Sequence, residues 1–132
     1  MNPLDHLRWP FFEPHHRDFA AALDAWAHTT VRDQHGHDVD AQCRQLVKQL
    51  GAGGWLRHAV GGTAYGAASD VIDTRMLCLA RETLARHEGL ADFAFAMQGL
   101  GSGAISLAGT PEQKARWLPR VAVGEAIAAF AL

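Results

Sequence analysis

The sequence predicts an all-α fold, and three observations carry the prediction. Apolar residues recur at intervals of three and four in successive stretches, the spacing that collects them on one side of a helix. Thr110-Pro111-Glu112-Gln113 is a well-specified helix start. Thr110 can cap, Pro111 has no N–H to leave unpaired at the first helical position, and Gln113 can reach back to the cap. Finally, the one strand-like run, Ala126 to Leu132, comes at the end of the sequence, after the helical pattern.

The first helix is read from Phe12, Phe19, Leu23 and Trp26, an apolar seam with spacings of seven, four and three. These aromatics are expected in a core. His15, His16, Arg17 and Asp18 fall mostly off that seam, so the two histidines are expected at the solvated surface, pointing to different sides and holding no metal. Asp33 to Asp40, with His35-Gly36-His37 inside it, is polar and glycine-punctuated and reads as a loop without ligand spacing.

Val39, Cys43, Leu46, Val47 and Leu50 mark a second helix, closed by Gly51 and the Gly53-Gly54 pair. Gly51 to Ser69 reads as a connector with one short turn around Trp55 to His58. Helical signal returns at Ser69-Asp70, either of which can cap, and runs through Ile72, Met76, Leu79, Ala80 and Leu84 to Gly89, with Arg86 and His87 suiting the last turn.

Leu90 to Ala108 is almost entirely apolar or small, with Asp92 its one charge. A membrane span has to be weighed, but Asp92, Gln98, Ser102, Ser106 and the glycines suit a protein interior better than lipid. The reading is a central helix buried on all sides, with Asp92 a helix-start acid and Gln98 a hydrogen-bonded core amide, neither catalytic. Ser102 lacks the spacing of a nucleophile elbow. In the last helix Trp117, Leu118 and Val121 form the apolar side, Trp117 burying against the central helix and Pro119 distorting or ending the regular part.

Within the central segment, Gly99-x-Gly101-x-x-Ala104 fits a dinucleotide fingerprint on paper. Such a turn must follow a strand and open a helix, whereas this one sits inside a helical pattern, so the match is compositional. Small residues here let the helix approach its neighbours or a ligand closely.

The chain is 132 residues with a net charge of -2, one domain's worth, with no electrostatic footprint for nucleic acid or an anionic membrane. Cys43 and Cys78 have no metal spacing and read as small buried hydrophobes in a reducing compartment. The start, MNPLDHLRWPFFEP, lacks the pattern of a secretory signal, so the expected location is cytoplasmic.

The segment Ala108-Gly109-Thr110-Pro111-Glu112-Gln113-Lys114-Ala115-Arg116-Trp117-Leu118-Pro119, preceded by a small-residue helix and followed by Gly124-Glu125 and an apolar run, resembles the amino-terminal helical domain of the acyl-CoA dehydrogenases. The connector Val60-Gly61-Gly62-Thr63-Ala64-Tyr65-Gly66 keeps the family's glycines in a different order. The resemblance implies a helical domain over residues 1–125 and the first strand of a β domain over 126–132, the sequence stopping short of the family's Thr/Ser-Glu-Pro flavin stretch. It further implies FAD as cofactor, an acyl-CoA substrate, a flavin-reoxidising electron acceptor and a homo-oligomeric full-length enzyme. By the same resemblance Phe93, Met97 and Leu100 face the acyl chain, and Phe130 and Leu132 lie against the flavin. No catalytic residue and no metal ligand is expected in this part, which should be inactive alone. The rival expectation is a small helical interaction module or a degenerate remnant, its apolar end docking on a partner.

Overall fold

The computed structural model describes residues 4–31 and 38–129. His35, His37, Phe130 and Leu132 lie outside the described residues. Five α-helices carry the described fold: α1 Pro14–Thr30, α2 Val39–Ala52, α3 Thr74–His87, α4 Gly89–Ala108 and α5 Pro111–Ala122. Short 3-10 turns fall at Asp5–Arg8, Trp55–His58 and Thr63–Tyr65. Among the described residues there is no strand, and 126–129 are irregular.

In α1 the buried face is His16, Phe19, Ala20, Leu23 and Ala27. Phe12 precedes the helix and packs, like Trp26, at the core's edge. The expectation of a solvated His16 is therefore corrected: it lies four residues after Phe12 and three before Phe19, filling the seven-residue gap of the seam, and spacings of four, three and four (16, 20, 23, 27) put it on the buried side.

Asp38 caps α2 by accepting the Ala41 N–H at 3.0 Å. Gly51 does not end this helix but lies inside its last turn. A Cβ there would run into the Val123 carbonyl, so the glycine serves the close approach of the chain leaving α5. The turn at Trp55–His58 is where the sequence placed it.

The start of α3 is corrected from Ser69-Asp70 to Asp73, whose carboxylate accepts the N–H groups of Arg75 and Met76 at 2.9 and 3.3 Å. Asp70 instead holds the connector, accepting from the Thr63 N–H and hydroxyl. Gly89 is corrected too. It opens α4 rather than closing α3, because Glu88 ends one helix and caps the next, accepting from the Leu90 N–H at 3.1 Å. The cysteines are not fully buried: Cys43 is half-buried and Cys78 exposed, off the α3 face formed by Met76, Leu79, Ala80, Thr83 and Leu84.

Helix α3 packs between α1 and α4, and α4 also touches α2 and α5. The main core joins Leu23, Leu46, Leu50, Leu56, Leu84 and Phe95. A second, smaller core holds Leu118, Val121 and Ala122 against Val60 and Ala67. Pro119 does not end α5, contrary to expectation: the helix runs on to Ala122, proline's φ being compatible with it although Pro119 cannot donate the usual bond to the Ala115 carbonyl. No helix among the described residues is long and apolar enough to cross a membrane.

Candidate functional site

Helix α4 is apolar nearly all round but buries one side only, through Ala91, Ala94, Phe95, Gln98 and Ser102. The expectation of burial on all sides is corrected accordingly. Phe93, Met97 and Leu100, spaced by four and three, share the opposite side. Phe93 is 56% and Leu100 64% exposed, Met97 is half-buried, and Leu107 extends the stripe at 80% exposure. Beside it lies a largely apolar hollow of about 250 Å³ between α3 and α4, bordered by Ala59, Ile72, Leu77, Gly99 and Leu100 and, at one side, by Arg81.

The stripe is held from behind. Arg81 of α3 donates to both carboxylate oxygens of Asp92 at 2.8 and 3.0 Å, which removes Asp92 from consideration as a free base and raises the Arg81 pKa further. Gln98 is the bonded core amide the sequence predicts. Its Nε2 donates to the Ala94 carbonyl at 3.0 Å, and its Oε1 accepts the Ala128 N–H at 2.8 Å. The buried Ser102 hydroxyl donates to the Gln98 carbonyl at 2.6 Å and has no nucleophilic setting.

The glycines of α4 have separate roles, none of them a nucleotide turn. A Cβ on Gly101 would lie 2.7 Å from the Ala128 Cβ, so this glycine lets the segment after α5 rest on the helix. Gly103 faces open space. A groove of about 140 Å³ separates α4 from α5 here, bordered by Gly101, Ile105, Trp117 and Ala128. Trp117 is less buried than expected, 36% exposed, with the Arg116 and Arg120 guanidiniums 4.9 and 5.8 Å from its ring.

A second polar cluster joins the starts of α1 and α3. His16, fully buried, accepts the Glu13 N–H at Nδ1 (3.0 Å), so Nε2 carries the proton donated to Asp73 at 2.9 Å. Burial pushes the Asp73 carboxyl up, but the His16 bond and the Met76 and Arg75 N–H groups outweigh it and hold it below its ordinary value. Glu13, His15 and His16 lie close enough together to surround an ion. Yet both His16 nitrogens are engaged, which leaves it no lone pair for a metal, and the cluster reads as structural. The sequence reading missed this pair, although the 16-20-23-27 spacing was available to find it.

Across the hollow between α1 and the connector, His58 is held below its ordinary pKa by burial and by neighbouring Arg57. Its ring packs edge-on to Phe19 at 4.7 Å. Phe130 and Leu132 cannot be placed, being outside the described residues.

In a comparison with known families, the model described as acyl-CoA dehydrogenase, N-terminal domain, matches residues 13–125. No curated protein matches the chain.

Proposed function

Because this chain belongs to the acyl-CoA dehydrogenase family, through its N-terminal domain, we propose that α4 supplies one wall of the acyl pocket in the α,β-dehydrogenation of an acyl-CoA thioester. The observation that supports this reading is the exposed stripe Phe93, Met97, Leu100 on a helix whose other side is locked into the core. An alkyl chain needs an apolar surface, and one carried on a helix anchored in the core gives it a defined path.

In this reading the reaction removes a proton from Cα and a hydride from Cβ, giving a trans-2-enoyl-CoA. FAD, when bound, supplies the hydride acceptor. The described residues fit a planar apolar group in one respect: Gly103 leaves open space beside the stripe, and the stripe itself is without charge. Phe130 and Leu132 remain the proposed flavin contacts. The residues of this chain bind, orient and exclude water, and the base comes from elsewhere in the enzyme. Residues 1–125 then act as the helical domain and 126–132 as the entry to a β domain. The electron acceptor and a homo-oligomeric assembly belong to the same reading.

The test is a titration of the isotope-labelled chain with FAD and a medium-chain acyl-CoA, following amide shifts. Movement centred on Phe93, Met97 and Leu100 with the acyl-CoA, and not with free CoA, is the expected result. Shifts centred elsewhere, or turnover of acyl-CoA by this polypeptide with added FAD, would overturn the reading.

A further inference from the structure

We infer that Gln98 is a positioning residue: its buried side-chain amide sets the register of residues 126–129 against α4, and so couples the proposed acyl wall to the segment that follows α5. The inference rests on the acyl-wall reading for its functional meaning, and on geometry for the coupling itself.

Gln98 is 1% exposed and makes two bonds of different reach. One, Nε2 to the Ala94 carbonyl, stays within its own helix and fixes which way the amide is turned. With Nε2 so committed, Oε1 faces outward and accepts the Ala128 N–H, thirty residues away, at 2.8 Å. A rigid acceptor presented to an otherwise irregular segment selects one backbone N–H over its neighbours, because a shift by one residue would bring a carbonyl or nothing opposite it.

Three close approaches remove the remaining freedom. Gly101, almost one turn along α4, admits Ala128 and Ala129 at distances no side chain would allow. Gly124, at φ 75°, sits where a Cβ would lie 2.5 Å from the Val47 carbonyl, and Gly51 receives the Val123 carbonyl. The segment leaving α5 is therefore seated on α2 by the two glycine contacts and on α4 by the amide. Gln98 follows Met97 directly in sequence, so wall and segment share one anchor. A displacement of the segment would alter the distance between the wall and whatever 126–129 lead to.

The amide also suits a pH-sensitive replacement. In Gln98→Glu a protonated carboxyl reproduces both bonds, its O–H donating to the Ala94 carbonyl and its carbonyl oxygen accepting from Ala128. The ionised form keeps the acceptor but faces the Ala94 carbonyl with like charge density.

Hydrogen exchange of individual amides in the whole chain tests this. In the unmodified chain the Ala128 amide should exchange more slowly than that of Ile127, while the Ala126 amide is protected independently by its own bond to the Arg120 carbonyl at 3.0 Å. Gln98→Leu should speed Ala128 exchange by about fivefold while leaving the α5 amides of Leu118 and Val121 unchanged. Gln98→Glu should restore Ala128 protection relative to Gln98→Leu, most fully at pH 5, where the protonated carboxyl makes both bonds. Equal Ala128 exchange in the unmodified chain and Gln98→Leu overturns the inference. So does equal acceleration of Ala128 and α5, which marks a general loss of stability. The acyl-CoA shifts described above are read separately: their absence with Ala128 still protected by Gln98 defeats the acyl-wall reading and the functional meaning of the coupling, while the register bond itself stands.

Discussion

At the scale of single residues, the junction of His16 and Asp73 shows what a polar pair contributes when one member is sealed from water. Asp73 caps α3 and fixes the buried imidazole of α1, so Asp73→Ala removes a cap and strands a buried N–H. The expected cost is about 2 to 4 kcal/mol, from roughly 1 for the cap and 1 to 3 for the orphaned donor. Asp73→Asn keeps one acceptor oxygen for the cap but turns an amide NH2 toward the His16 Nε2–H in place of the second, so it should recover the cap and still cost about 1 to 3 kcal/mol for the orphaned donor. Urea denaturation of the three proteins at pH 7 measures both. The pH dependence has a definite sign. The folded-state pKa of Asp73 lies below the unfolded value, so its contribution is complete above about pH 4 to 5 and disappears as pH falls through the folded value. The stability gap between Asp73→Ala and the unmodified chain should narrow in acid; a gap that widens below pH 4 would refute the assignment.

At the scale of elements, α4 separates two kinds of apolar residue that look alike in sequence. Phe95→Ala should destabilise by about 3 to 5 kcal/mol, because removing its fully buried ring leaves a cavity in the main core. Leu107→Ala should fall within about 0.5 kcal/mol of the unmodified chain, since four-fifths of that side chain is already in water. Thermal melts of the pair distinguish a one-sided helix from one buried all round. Glycines divide in the same way. Gly103→Ala should stabilise by about 0.5 to 1 kcal/mol, helix propensity acting with nothing in the way, whereas Gly51→Ala should destabilise by about 1 to 3 kcal/mol through its clash with Val123. If Gly103→Ala also weakens acyl-CoA shifts while raising the melting temperature, the open space beside it is a ligand's space.

At the scale of the whole molecule, Phe93, Leu100 and Leu107 form a continuous exposed apolar stripe on a chain of modest net charge. Such a surface binds hydrophobic dyes and promotes association. Phe93→Lys with Leu100→Lys should cut dye fluorescence by about twofold or more with little change in helix content. The helices themselves were legible in the sequence because periodicity, caps and breakers act over a few residues: the Thr110 capping box and the turn at Trp55–His58 lie where local chemistry puts them. The family resemblance rested on the same stretch and agrees with the domain match over residues 13–125. The side of α4 that faces the core was not legible, since a helix apolar all round carries no periodic signal to orient it. Nor was the choice of Asp73 over Ser69 or Asp70 as the α3 cap, because all three can accept an N–H, and in the fold Asp70 is taken by Thr63 while Asp73 also meets the distant His16. The sequence alone thus determined which segments coil, and the likeness that names their family. Tertiary structure decided which faces meet and which stay in water, because a contact such as Gln98 to Ala128 depends on where two separate segments come to lie in space.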